Sequence, residues 1–112
     1  MAPEPVEEPI CDHFQQAAEL IGKRWTTMII RGLQSGDTRF SDLRAGIPAI
    51  SDAVLSERLK ELESAGIVTR TVSQSRPVRI DYVLTPRGRD LTKVVEELAR
   101  WAERWAEAPE PV

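Results

Sequence analysis

The chain has 112 residues, enough for one compact domain with a modest core, and carries 15 Lys/Arg against 18 Asp/Glu for a net charge of −3. It has no apolar run of membrane-spanning length and no signal-peptide pattern at its start, and its single cysteine, Cys11, rules out an internal disulfide and suits a reducing cytoplasm. The charge is uneven: residues 20–93 hold thirteen Lys/Arg and eight Asp/Glu, while residues 1–19 and 94–112 are net acidic, so the body can meet phosphates although the bulk pI of about 5.2 suggests otherwise.

Taken in order, residues 1–10 and 108–112 are Pro/Glu-rich and read as disordered acidic tails flanking one domain over 11–107. Asp12 and Gln15 stand at capping-box spacing and predict a first helix whose buried stripe is Phe14, Ala17, Ala18 and Ile21. A second helix turns Trp25, Met28, Ile29 and Leu33 inward and stops near Gly36. Thr38 can cap a short third helix with Phe40 and Leu43 on its inner side, and Ile47–Ile50 form the turn that follows. Ser51 caps a fourth helix over 51–65, in which Leu55, Leu59 and Leu62 repeat at helical spacing and Gly66 supplies the left-handed stop. Opposite these leucines stand Asp52, Ala53, Ser56, Glu57 and Lys60, side chains short or polar enough for a helix to approach a groove floor. A merely solvated face is the alternative for that pattern. A short helix, a turn and a longer helix make a helix-turn-helix, whose second helix reads DNA.

Two strands follow, Ile67–Val72 and Val78–Leu84, both rich in β-branched residues. The tip between them, a wing over 73–79, contains Pro77 where no ladder bond is needed and carries Arg76 and Arg79, which can reach phosphates or a minor groove. Thr85 then caps, and Pro86 opens, a last helix over 86–107 with an apolar stripe of Leu91, Val94, Val95, Leu98, Trp101, Ala102 and Trp105. At 1.5 Å per residue this helix is roughly 33 Å long. One small domain can hardly cover the whole stripe, and the excess predicts a symmetric homodimer. The competing arrangement folds both tryptophans back against the first helix.

These segments resemble the HxlR-type transcriptional regulators, winged-helix relatives of MarR proteins. The likeness rests on AELIGKRWTTMIIRGL at 18–33, TRFSDLRAGIPAIS at 38–51, VLSERLKELESAGIV at 54–68 and DYVLTPRGRDL at 81–91. It implies a mostly α fold with a small β-hairpin wing, a winged helix-turn-helix with long N- and C-terminal dimerisation helices. It also implies a dimer, paired through Phe14 and the stripe Leu91, Val94, Val95, Leu98, Trp101 and Trp105, that reads a pseudo-palindromic operator in double-stranded DNA. Thr38, Arg39 and Ser41 would meet phosphates, Ser51–Lys60 would enter the major groove, and Arg76 and Arg79 would touch the flanking backbone or minor groove. Arg58, beside the leucine face, is an inner salt-bridge residue, a phosphate ligand or a base reader. Ala53 departs from the family, many members of which carry a basic residue early in this helix. Asp52 could accept from a cytosine amino group or simply favour the helix N-terminus.

A cysteine just before the first helix is frequent in this family and in some members switches DNA binding, which makes Cys11 a candidate redox sensor and a passive terminal thiol its alternative. Cys11 and His13 fall short of the four donors of a zinc site. No nucleophile–base set, phosphate loop or metalloprotease motif is present, so neither an enzyme nor a cofactor is expected. A small apolar effector could lie between the terminal helices and the second helix, near Trp25, Trp101 and Trp105. The other function class is a winged-helix module that binds protein and ignores DNA sequence.

Overall fold

The computed structural model describes residues 11–106, so the tails at 1–10 and 108–112, and Glu107, lie outside the described residues. Five helices and one hairpin follow in the order α1 (Asp12–Gly22), α2 (Thr26–Gln34), α3 (Phe40–Gly46), α4 (Asp52–Ser64), β1 (Val68–Val72), β2 (Ile80–Leu84) and α5 (Pro86–Trp105). This is the mostly helical winged helix-turn-helix that the sequence predicts.

Local signals place the element ends. The Ser51 hydroxyl accepts from the Val54 amide at 3.2 Å and starts α4, and Gly66 at φ +76° lets the chain leave it. Thr85 caps α5 by accepting from Gly88 N at 3.0 Å, with Pro86 in the first turn, where its missing N–H costs nothing. The strands pair antiparallel with Val68 opposite Leu84 and Val72 opposite Ile80. Beyond them Ser73 N donates to Arg79 O at 2.7 Å, and Arg79 N returns to Ser73 Oγ at 2.8 Å, which closes the base of the wing tip.

The core is one cluster: Ile29, Ile30 and Leu33 of α2, Leu43 of α3, Ile47 and Ile50 of the turn, Leu55, Leu59 and Leu62 of α4, Ile67 and Val68 at the wing root, and Val95 of α5. Burying each such aliphatic side chain contributes about 1.5–3 kcal/mol, which makes α2, α3 and α4 one rigid body.

Several expectations are corrected. The cap of α1 is Cys11, whose Sγ accepts from Phe14 N at 3.4 Å, and Asp12 is instead the first helical residue. No residue of α1 is buried: Phe14, Ala17 and Ala18 are exposed and Ile21 only half-buried, because little among the described residues lies over that face. Met28 is exposed, and the inward positions of α2 are Thr26, Ile29, Ile30 and Leu33. Thr38 does not cap α3: Arg39 holds the N-cap position without a side-chain bond, and the Thr38 hydroxyl is drawn away to Asp81. Trp25 stands at the N-cap of α2 with φ +78°, a left-handed conformation that costs a bulky residue about 1–3 kcal/mol.

Candidate nucleic-acid interface

Because α4 commits Leu55, Leu59 and Leu62 to the core, its other face is presented outward. Asp52, Ala53, Glu57 and Lys60 are exposed and Ser56 is half-buried. Ser51 is spent on the cap. Asp52 is occupied as well: its Oδ1 accepts from Arg44 Nε at 2.8 Å, and Arg44 also donates to the Pro48 carbonyl at 3.3 Å. Arg44 therefore ties the end of α3, the turn and the start of α4 together, and Asp52 serves that brace before it can read a base. Of the roles open to Arg58, the structure selects the inner one: it donates to Glu61 Oε1 at 2.9 Å and to the Arg24 carbonyl at 3.0 Å, with its side chain only 17% exposed. So engaged, the Arg58 side chain is committed to the fold through its Nε and Nη1.

The start of α3 is fastened to the wing. Tyr82 N donates to Thr38 O at 2.8 Å, and the Thr38 hydroxyl donates to Asp81 Oδ1 at 2.9 Å. Asp81 also takes Arg79 Nε at 3.0 Å. The Thr38 hydrogen bond, helped by Arg79, holds the Asp81 carboxyl below its ordinary value of 3.8. Thr38 is thus a structural link whose hydroxyl is already used, rather than a free phosphate donor, while Ser41 is exposed one residue into α3. Arg39, Arg76 and Arg79 converge around a hollow of about 320 Å³ whose other walls are Ser75, Pro77, Val78 and Ile80. Among the described residues neither Arg39 nor Arg76 makes an ion pair, and only the Nε of Arg79 is engaged. Planar forks with free terminal nitrogens suit phosphate oxygens.

The apolar stripe of α5 divides in two. Val95 is buried in the protomer's own core and Leu91 packs against that core while staying partly exposed. Val94, Leu98, Trp101 and Trp105 are about half exposed, as is Phe14 on α1. The tryptophans do not fold back on their own domain. Trp25, by contrast, packs on the core with the Arg24 guanidinium 4.5 Å from its ring centroid.

Cys11 is exposed. Among the described residues no group of three or more His, Cys, Asp or Glu is gathered to hold a metal ion, and no helix is long and apolar enough to cross a membrane. Sequence reasoning overlooked Arg44, although a base in the last turn of one helix and an acid in the first turn of the next was a readable signal. It also overlooked the Lys23–Glu61 ion pair at 2.9 Å, which no local spacing announces.

Comparison with known proteins agrees with this geometry. The family model described as HxlR-like helix-turn-helix matches residues 20–110. An uncharacterised HTH-type transcriptional regulator, YvaP of Bacillus subtilis (strain 168), is 42% identical over 99 residues, covering 88% of this chain and 92% of that protein. The HTH-type transcriptional regulator YodB of the same organism is 41% identical over 103 residues, covering 92% of each. The structure of reduced YodB aligns with a TM-score of 0.79 at 40% identity over 91% of this chain and 100% of that one. YodB is also known in diamide-treated and quinone-bound forms. The relatives are named as transcriptional regulators, not enzymes, and the chain, a transcriptional regulator with a helix-turn-helix domain, belongs to the HxlR-like family.

Proposed function

We propose that the protein is a homodimeric, sequence-specific DNA-binding regulator, with α4 in the major groove and the wing at 73–79 on the flanking backbone or minor groove. The observation that carries this reading is the hollow where Arg39 of the helix-turn-helix meets Arg76 and Arg79 of the wing. The Thr38–Asp81 bond joins that hollow to α3 at one end, and the Arg44–Asp52 brace joins α3 to α4 at the other. Phosphate-binding arginines and a reading helix held in fixed relation are what positioning by the backbone and reading by base edges require. Ala53, Ser56, Glu57 and Lys60 supply the reading face, with the Ala53 methyl suited to a thymine methyl. The pairing surface comprises Phe14, Val94, Leu98, Trp101 and Trp105, and a two-fold pair sets two recognition helices on a pseudo-palindromic operator.

The deciding experiment is selection of bound duplexes from a random pool at near-physiological salt. An enriched inverted repeat with half-site centres about ten base pairs apart is expected. A folded dimer that retains no DNA would transfer the assignment to a protein-interaction module.

Regulation through Cys11 fits the same reading. Its thiol is exposed and caps α1, the helix that carries Phe14, and the similar YodB is known with quinone bound. Diamide or a quinone should release the selected duplex from the wild-type chain and leave Cys11→Ser bound. Equal release from both would make Cys11 a passive thiol.

A further inference from the structure

The inner side of α4 is gripped by the corner where α1 turns into α2. Arg58 Nε donates to the Arg24 carbonyl at 3.0 Å, and its Nη1 donates to Glu61 Oε1 at 2.9 Å. The other oxygen of Glu61 meets Lys23 Nζ at 2.9 Å. Lys23 is the C-cap of α1 and Trp25 the N-cap of α2, so three consecutive corner residues are engaged. Lys23 is held by its ammonium and Arg24 by its carbonyl. Trp25 is held by packing on the core, in a left-handed conformation that a bulky residue keeps only where its surroundings over-determine it. The Arg58 and Glu61 side chains are 17% and 23% exposed, shielded enough for these charge-assisted bonds to direct geometry.

α1 and α4 are separated by an open cleft of about 610 Å³ that Lys23 and Glu61 of the clamp also line, with Gln16, Glu19 and Leu20 on one wall and Glu57, Lys60 and Ser64 on the other. α1 buries no residue fully and packs on the core through Leu20, near the corner, so the polar clamp at the corner supplements that packing in fixing the angle between these two helices.

We propose that Arg58 and Glu61 are specificity-determining positioning residues that set the half-site spacing a dimer accepts, by clamping the reading helix to the corner that carries α1. This rests on the dimeric DNA-reading function above. When two copies meet through the faces that bear Phe14 and the exposed half of α5, any swing of α1 about the corner, against the body that holds α4, alters the separation of the two reading helices. The bases read by each α4 stay the same. Glu61 is the keystone, because without its charge Lys23 and Arg58 are left as neighbouring cations with no shared anion.

Two measurements on the full chain test this. The first uses spin labels at Ala18→Cys and Ser64→Cys in a Cys11→Ser background, diluted with unlabelled chain, and reads the α1–α4 distance within one protomer. A single narrow distribution is expected, broadening in Glu61→Gln and Arg58→Ala and narrowing again in the conservative Arg58→Lys. Equal widths in all variants overturn the clamp whether or not the protein binds DNA. The second selects from duplexes in which the half-site enriched by the wild type is repeated at varied spacing. Both disrupting variants should keep the half-site sequence while discrimination between the best spacing and its neighbours falls about threefold to thirtyfold, the range over which coupling contacts act. A uniform loss at all spacings overturns the proposal. Should Arg58→Ala not fold, the near-isosteric Glu61→Gln decides alone. A wild-type chain that enriches no inverted repeat would sink the DNA reading, and the distance measurement would still decide the clamp.

Discussion

Two carboxylates carry more of this molecule's geometry than their surface positions suggest. Asp81 joins the wing to the start of α3, and Glu61 joins α4 to the α1–α2 corner. Both are held below their ordinary values of 3.8 and 4.5, Asp81 chiefly by the Thr38 hydroxyl and Glu61 chiefly by its bond to Lys23. A depressed carboxyl contributes stability that is complete above the unfolded value and disappears as pH falls through the folded one. Asp81→Asn and Glu61→Gln should therefore melt below the wild type at neutral pH, and the gap should close as acidification takes the pH below the ordinary carboxyl values and through the lowered folded ones. A gap that stays constant with pH would mean that neither carboxylate stabilises through its charge. Arg39 and Arg76, which make no ion pair among the described residues, are expected to act on DNA and not on folding. Arg39→Ala and Arg76→Ala should each weaken binding to every duplex and flatten the salt slope by about one unit, measured as affinity against salt concentration. A change of preferred sequence without a change of slope would place them at base edges instead.

At the scale of elements, the parts legible in the sequence are those whose signals are local. Leu55, Leu59 and Leu62 declare the buried face of α4 by spacing alone, and Ser51, Gly66 and Thr85 declare its limits and the start of α5. What stayed hidden depends on partners distant in the chain. Thr38 looks like a helix cap until Asp81, 43 residues later, takes its hydroxyl. Arg58 stands at the edge of the α4 face and is turned inward by the Arg24 carbonyl, 34 residues earlier. Met28 satisfies the apolar pattern of α2 yet points out, because Ile30 takes the inward place beside Ile29. The candidate site was therefore readable as a set of segments, but the use of individual side chains within it was not. One junction has its own sharp test. Gly88, buried in the first turn of α5, lies so close to the Ile67 carbonyl that an added methyl would overlap that backbone, with the Leu84 side chain close beside it. Gly88→Ala should cost about 1–3 kcal/mol or more in denaturant unfolding, the range for overpacking a closed site. A loss of only a few tenths would show that helix and strand can part there.

At the scale of the molecule, the central fact is an amphipathic helix served by only half a core. α5 gives Thr92 and Val95 to its own domain and leaves Val94, Leu98, Trp101 and Trp105 uncovered. An apolar strip of that length is the kind of surface a second copy covers. Trp101→Glu should accordingly yield a folded monomer by sedimentation velocity. An unchanged sedimentation coefficient would remove the terminal helices as the pairing surface.

Every residue from Arg100 to Ala106 is exposed among the described residues, so the last turns of α5 lean little on the domain. A helical end that buries so little surface is marginal in water. In the proposed dimer, separation of the copies on dilution should let these turns fray and leave both indole rings in solvent. Two of the chain's three tryptophans lie there, while the third, Trp25, stays against the core. The protein thus carries its own optical gauge of assembly: dilution should shift the emission of Trp101 and Trp105 to the red while the far-ultraviolet signal of the remaining helices persists.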